Sequence, residues 1–183
     1  MEETNERPPF LNHAAKWGAI LAAIGIVMII LLYVIDYTTM VQLKFLGIVL
    51  LVDIAVIIYA GIDYRNLGGR YISYGTVWKH AFVLIFVSTI IYTLFNMLLY
   101  KVIDTELPQR LTDAAVENQR TMMQGFGAPE DQIEQGIQQA KERMEDQYTI
   151  FGMIKGVGIF MIIWAVIISL TSLIVRKNEP IEM

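Results

Sequence analysis

GIVLLVDIAVIIYAG, residues 47–61, is a run of aliphatic side chains with one carboxylate, Asp53, near its middle. Followed to its apolar limits the run covers Phe45 to Ile62, and similar blocks occupy Trp17 to Ile35, Ala81 to Tyr100 and Gly156 to Val175. Each approaches the ~20 residues that a helix rising ~1.5 Å per residue needs to cross ~30 Å of hydrocarbon. Of the 183 residues, 55% are hydrophobic and 17% charged, against about 25% charged in soluble domains. Segmentation decides the matter more firmly than the average, because the charges cluster between unbroken apolar blocks. The expected fold is all-α: an integral membrane four-helix bundle with an extramembrane helical hairpin between spans three and four.

Composition also removes classes of function. The chain has no cysteine and two histidines, which excludes disulfides, thiolate metal sites and cysteine nucleophiles and argues against a histidine metal centre. A net charge of −4 lacks the basic balance of nucleic-acid-binding domains. No G-x-x-x-x-G-K-[ST] phosphate loop, H-E-x-x-H zinc pair or G-x-S-x-G nucleophile motif occurs, so neither an enzyme nor a cofactor or metal site is expected. His13, in the tail, and His80, beside Lys79, have no visible convergent partner and read as ordinary solvated or interfacial side chains. The opening MEETNERPPFLNHAAKWG is acidic, and no A-x-A-like site follows the first apolar block. That block is expected to be retained as a span rather than cleaved as a signal peptide.

Four crossings put both ends and the middle loop on one face. That face, residues 1–16, 63–80 and 176–183, holds Arg7, Lys16, Arg65, Arg70, Lys79, Arg176 and Lys177, whereas residues 101–149 carry ten acids and five bases. The positive-inside rule therefore predicts cytoplasmic termini, with Lys101 and Lys155 at the outer span ends as the contrary signal. The expected layout is a cytoplasmic tail over 1–16, spans one to three with short loops over 17–100, an extracytoplasmic helical hairpin over 101–149, and span four with a cytoplasmic tail over 150–183.

Within the outer segment, Leu111, Ala115, Asn118 and Met122 form one helical stripe, and Ile133, Ile137, Ala140 and Met144 another. Between them lies GFGAPEDQ, whose glycines break the first helix and whose Pro129 suits the first turn of the second, with Glu130, Asp131 and Glu134 near its positive dipole end. Glu142, Glu145 and Asp146 could gather on one side, but Lys141 and Arg143 interleave with them, so a solvated face is expected rather than a cation site. The inward loop, DYRNLGGRYISYGTVWKHA, turns at Gly68 and Gly69, and Ser73 can cap the next helix. Tyr74 and Trp78 share a helical face suited to the headgroup layer. Gly68, Gly69, Arg70, Ser73 and Lys79 make this loop an interfacial anchor or, alternatively, a lipid-headgroup or partner site.

The pattern LGGRYISYGTVWKHA, then a span, Ile103 and Asp104 after its end, a loop containing PEDQIEQ and a last span ending in basic residues resembles domain-of-unknown-function family 4199, four-helix bacterial membrane proteins. Gly69, Ile72, Ser73, Gly75 and Lys79, with Gln132, Ile133 and Glu134, carry the likeness through order and spacing, over nearly the whole chain after the N-terminal tail. The resemblance implies a bacterial inner membrane and this architecture. It names no activity, and Asp53 is not part of its pattern.

An acid near the bilayer centre costs at least ~2.5 kcal/mol on insertion scales, so Asp53 should face protein or water. Counted from the span ends, Tyr92 and Trp164 match its depth, and Ser88 and Thr89 lie within a turn of Tyr92, with Thr93 and Asn96 adding polar groups to span three. The expected intramembrane polar cluster is Asp53, Tyr92, Ser88 and Thr89, with a neutral acid favoured by the lack of any central cation. Gly18, Ala19, Ala22, Ala23 and Gly25 in span one, and Gly152 and Gly156 at GxxxG spacing, predict close helix contacts, within one bundle or between two copies. The functional expectation is a structural or interaction component acting through the acidic outer hairpin. The competing one is a small proton- or cation-coupled transporter using Asp53. The implied partners are the lipid bilayer and a protein or a second copy, with no nucleic acid.

Overall fold

The computed structural model describes residues 9–178. Its helices are α1 (Phe10–Ile35), α2 (Leu43–Asn66), α3 (Tyr74–Leu98), α4 (Leu107–Gly125), α5 (Glu130–Gln147) and α6 (Ile150–Val175). A short 3-10 turn, Tyr37–Val41, comes after α1, and a π-helical turn, Leu99–Ile103, continues α3. α1, α2, α3 and α6 are long and apolar enough to cross a membrane.

These four helices overrun the apolar blocks that announce them. Hydropathy registers only the hydrocarbon layer, whereas backbone hydrogen bonding continues until a residue interrupts it. The Pro9 carbonyl accepts the N–H groups of Asn12 (3.1 Å) and His13 (3.3 Å), so α1 is already wound well before Trp17. Ser73 caps α3 as expected, its Oγ accepting the Thr76 N–H at 3.3 Å. The outward faces remain apolar: Val34, Leu43, Ile162, Val166, Leu170 and Ile174 are all exposed. Such patches would be unstable in water and suit a lipid surround.

The chain divides into two compact units. Of the described residues, one unit comprises 9–25, Leu50–Tyr92 and 158–178. Its core joins Ala14, Leu21, Ile57, Ala60, Ala81, Leu84, Ile85, Trp164 and Ile168. Because lipid tails are as apolar as leucine, helices here associate through close packing rather than hydrophobic exclusion. Ala14, Gly18 and Ala22, all buried, present a small-residue face four residues apart. A methyl group at Gly18 would meet the Leu84 carbonyl oxygen of α3 at 2.6 Å, so the two backbones approach as closely as glycine allows. Within the chain the Gly152/Gly156 pair makes no contact with another span among the described residues: nothing lies within 4 Å of a methyl placed at Gly156, and Gly152 abuts the Asp146 backbone at the tight return from α5. Spacing alone reveals small residues but not whether a neighbouring helix faces them.

The second unit comprises Ile26–Val49 and Thr93–Val157. Here α4 and α5 form the expected antiparallel hairpin, turning at Gly127, whose φ of 73° is left-handed. Leu111 and Ile133 are buried in it. The stripe on α5 runs as predicted, but that on α4 shifts by one residue after Ala115. Gln119 donates from Nε2 to the Gly136 carbonyl at 3.2 Å, and Met123 packs over Gly136. Asn118 and Met122 are exposed instead. An α-helix advances 3.6 residues per turn, so a stripe of successive steps of four is straight enough to track a short partner, and the glycine opposite admits the longer side chains.

Candidate functional site

Three ionisable side chains from three helices meet within the first unit. His13, in the first turns of α1, and His80, near the start of α3, are 7% and 0% exposed. His13 Nδ1 lies 2.8 Å from His80 Nε2, and His13 Nε2 lies 3.2 Å from Asp63 Oδ2 in the last turns of α2. The Trp17 indole N–H donates to the same Asp63 oxygen at 3.3 Å. Tyr64 stacks on His80 with ring centroids 4.8 Å apart and planes 17° from parallel, and its ring is 5.1 Å from that of His13.

For two neutral rings beside a carboxylate, the contacts admit one set of tautomers. With Asp63 ionised, His13 donates Nε2–H to the carboxylate, which leaves His13 Nδ1 as an acceptor for the Nε2–H of His80. His80 Nδ1 is then an unprotonated acceptor, and among the described residues it has no hydrogen-bond partner. A proton taken up there can be matched by transfer of His80 Nε2–H to His13 and of His13 Nε2–H to Asp63, whose side chain is 40% exposed. The chain thus connects a buried nitrogen to a solvent-accessible carboxylate through two imidazoles. This corrects the reading of both histidines as isolated. A signal was present in the sequence: His13 lies just before the first apolar block, Asp63 just after the second and His80 just before the third, all at one membrane edge.

The residues expected to cluster around Asp53 occupy varied surroundings. Asp53 is half-buried, and Ser88 and Thr89 are buried. The Tyr92 ring packs over Gly25 of α1, 3.3 Å from where a methyl would stand, and Trp164 is part of the core. In the inward loop, Gly69 and Arg70 both have left-handed backbone, with φ of 84° and 70°. Lys79 is exposed. Tyr74 and Trp78 direct their polar atoms to Ser169 of α6, the hydroxyl donating to its carbonyl at 3.4 Å and the indole N–H to its Oγ at 3.1 Å.

The second unit has its own hub at Asp104. Oδ1 accepts the N–H groups of Glu106 (3.2 Å) and Leu107 (3.0 Å), starting α4. Oδ2 accepts the Tyr33 hydroxyl at 3.0 Å and pairs with Arg110, whose guanidinium lies 5.1 Å from the centre of the Tyr37 ring. Burial works against charge on Asp104, but the hydrogen bonds from Tyr33 and Arg110 outweigh it and hold the carboxyl below the usual range. In the neighbouring turn, Asp36 accepts hydrogen bonds from Thr38 and Thr39, which likewise lower its carboxyl. Burial pushes the Tyr148 hydroxyl, packed edge-on against Tyr100, up to about 12.

Long apolar helices with lipid-suited outer faces and polar groups gathered at their ends define a multi-pass helical membrane protein. The family model described as "Protein of unknown function (DUF4199)" matches residues 16–177, and the chain belongs to that family. No curated protein and no solved structure matches the chain.

Proposed function

We propose that this protein is an interaction component of a bacterial inner membrane, with cytoplasmic termini, that presents the α4–α5 hairpin on the opposite side to a partner with a basic and apolar surface. One observation carries the reading: the hairpin is secured at its base by the Asp104 network, while near its tip Met122 and Phe126 are 53% and 84% exposed. Acids at Asp113, Glu117, Glu130, Asp131 and Glu134 are exposed on the same hairpin. An apolar anchor ringed by charge, held in fixed orientation, is the composition of a recognition surface.

The chain has no cysteine, so single cysteines introduced at Gln124 and Asn178 report sidedness cleanly. They should react with an impermeant thiol reagent from opposite sides, and reaction from one side would overturn the placement. A photoreactive side chain at position 126 in intact membranes should then yield one discrete adduct, also formed from position 122 and weakened by high salt. Indifference of the adducts to position or salt would sink the interaction reading. An adduct with a second copy would identify the partner as the protein itself.

A second reading, proton-coupled transport, is supported by the His80–His13–Asp63 chain together with Asp53. In proteoliposomes under an imposed pH gradient, Asp63→Asn and Asp53→Asn should each abolish coupled movement of a cation. Absence of movement by the parent protein across a broad substrate panel would count against it.

A further inference from the structure

Arg65, Asn66, Arg70 and Lys177 line an open depression of about 450 Å³ where α2 and α6 end. We propose that this depression binds a phosphate group, and that its occupant is the headgroup phosphate of an anionic glycerophospholipid. The proposal is independent of the hairpin's role and rests only on α2 and α6 being membrane spans.

Three cations share this rim, and among the described residues none of the three pairs with a carboxylate. Each is held in place by backbone rather than by a counter-ion. Arg65 donates from Nη1 to the Val175 carbonyl at 2.9 Å, which satisfies the end of α6, while its Nε is buried without a partner among the described residues. Arg70 is fixed by its N–H to the Arg65 carbonyl at 3.2 Å. Lys177 is fixed by a two-way backbone bridge to Ile72, with N–H···O distances of 2.9 and 3.1 Å, and its ammonium lies 5.7 Å from the centre of the Tyr71 ring. Like charges brought together without a partner repel, so the arrangement calls for an anion.

Position and chemistry then select the anion. Arg65 and Asn66 are the last residues of a span, and Lys177 lies two residues past the end of another, which is the depth of lipid phosphates. Guanidinium groups recognise phosphate oxygens through paired N–H donors, and basic pockets at span ends take anionic headgroups. The Asn66 amide can donate to a further oxygen. Arg70 is also placed at φ 70°, where glycine would adopt the conformation more readily, so charge at this position is kept against a backbone preference.

The test uses the purified full chain in neutral detergent, titrated separately with phosphatidylglycerol, phosphatidylcholine and inorganic phosphate and read by native mass spectrometry. One phosphatidylglycerol should bind at least ten-fold more tightly than phosphatidylcholine. Arg70→Gln and Lys177→Gln should each weaken it about ten-fold, a loss of one charge-assisted contact, whereas Lys79→Gln, a nearby cation outside the depression, should not. Arg70→Gly separates binding from folding: it should raise the melting temperature while weakening the lipid about as much as Arg70→Gln does. Equal binding of the two lipids, or equal loss on Lys79→Gln, would overturn the site. Inorganic phosphate binding as tightly as phosphatidylglycerol would overturn the lipid as its source.

Discussion

Replacing His13 and His80 by phenylalanine, singly and together, tests the buried histidine pair through its energetics. Phenylalanine keeps a ring of similar size beside Tyr64 and removes the ring nitrogens. In His80→Phe the Nδ1 acceptor of His13 loses its donor; in His13→Phe the Nε2–H of His80 loses its acceptor, in a residue that is 0% exposed. A buried polar group left unsatisfied costs about 1–3 kcal/mol. The double variant leaves neither orphan, because both partners of the 2.8 Å hydrogen bond are gone. Asp63 keeps the Trp17 indole as a donor and is partly solvated. The double variant should therefore be less destabilised than the sum of the singles by about 2–6 kcal/mol, the two orphan costs together. Reversible unfolding in mixed micelles, monitored by tryptophan fluorescence, measures all four corners of the cycle. Additivity within about 0.5 kcal/mol would refute the hydrogen bond between the two rings.

Gly18→Ala should destabilise the protein by about 1–3 kcal/mol through overpacking against the Leu84 carbonyl, reduced by up to ~1 kcal/mol of helix propensity, while Gly156→Ala, with open space around it, should be neutral or stabilising. Thermal unfolding of the two variants side by side checks the contrast. Asp104→Asn should speed amide exchange at Glu106 and Leu107 and leave the α3 amides before Tyr92 unchanged. Because the Asp104 carboxyl is lowered in the folded state, its stabilising contribution is complete above the ordinary value of 3.8 and is lost only as pH falls below that, through the folded value; exchange in the first turn of α4, corrected for intrinsic rates, should rise in that acid range and not near neutrality. Phe126→Ser should change stability by less than about 0.5 kcal/mol, since the side chain is 84% exposed, and melting curves suffice to show it.

The four spans are legible because their burial medium is lipid: apolar residues on every face leave a continuous mark in the sequence. Local devices are legible too, since the Ser73 cap and the Gly127 turn depend on neighbours a few positions away. The histidine chain is not local. His13 and His80 are 67 residues apart, and no periodicity links them; only their common placement at the edges of apolar blocks does. Matching depths also brought Tyr92 and Trp164 to the level of Asp53, but depth fixes a position along the helix and not the direction around it. Tyr92 turns to Gly25, and Trp164 enters the core. For the same reason the α4 stripe drifted by one residue once the partner helix offered a glycine at position 136.

The π-helical turn Leu99–Ile103 ends immediately before Asp104. A π turn is an α-helix carrying one residue more than its pitch requires, and so it acts as a phase adjuster. Each α-helical residue rotates the downstream chain by about 100° and advances it ~1.5 Å. The π turn absorbs its supernumerary residue within one turn, so Asp104 meets Tyr33 on the bearing that an α-helix one residue shorter would give it. A chain lacking any one of residues 99–103 could therefore wind an unbroken α-helix there and keep the carboxylate beside the hydroxyl that donates to it. Keeping all five residues but forcing them to the α pitch would instead carry the carboxylate about a quarter-turn away. Hydrogen-bond pitch in this short segment is thereby constrained more tightly than its length.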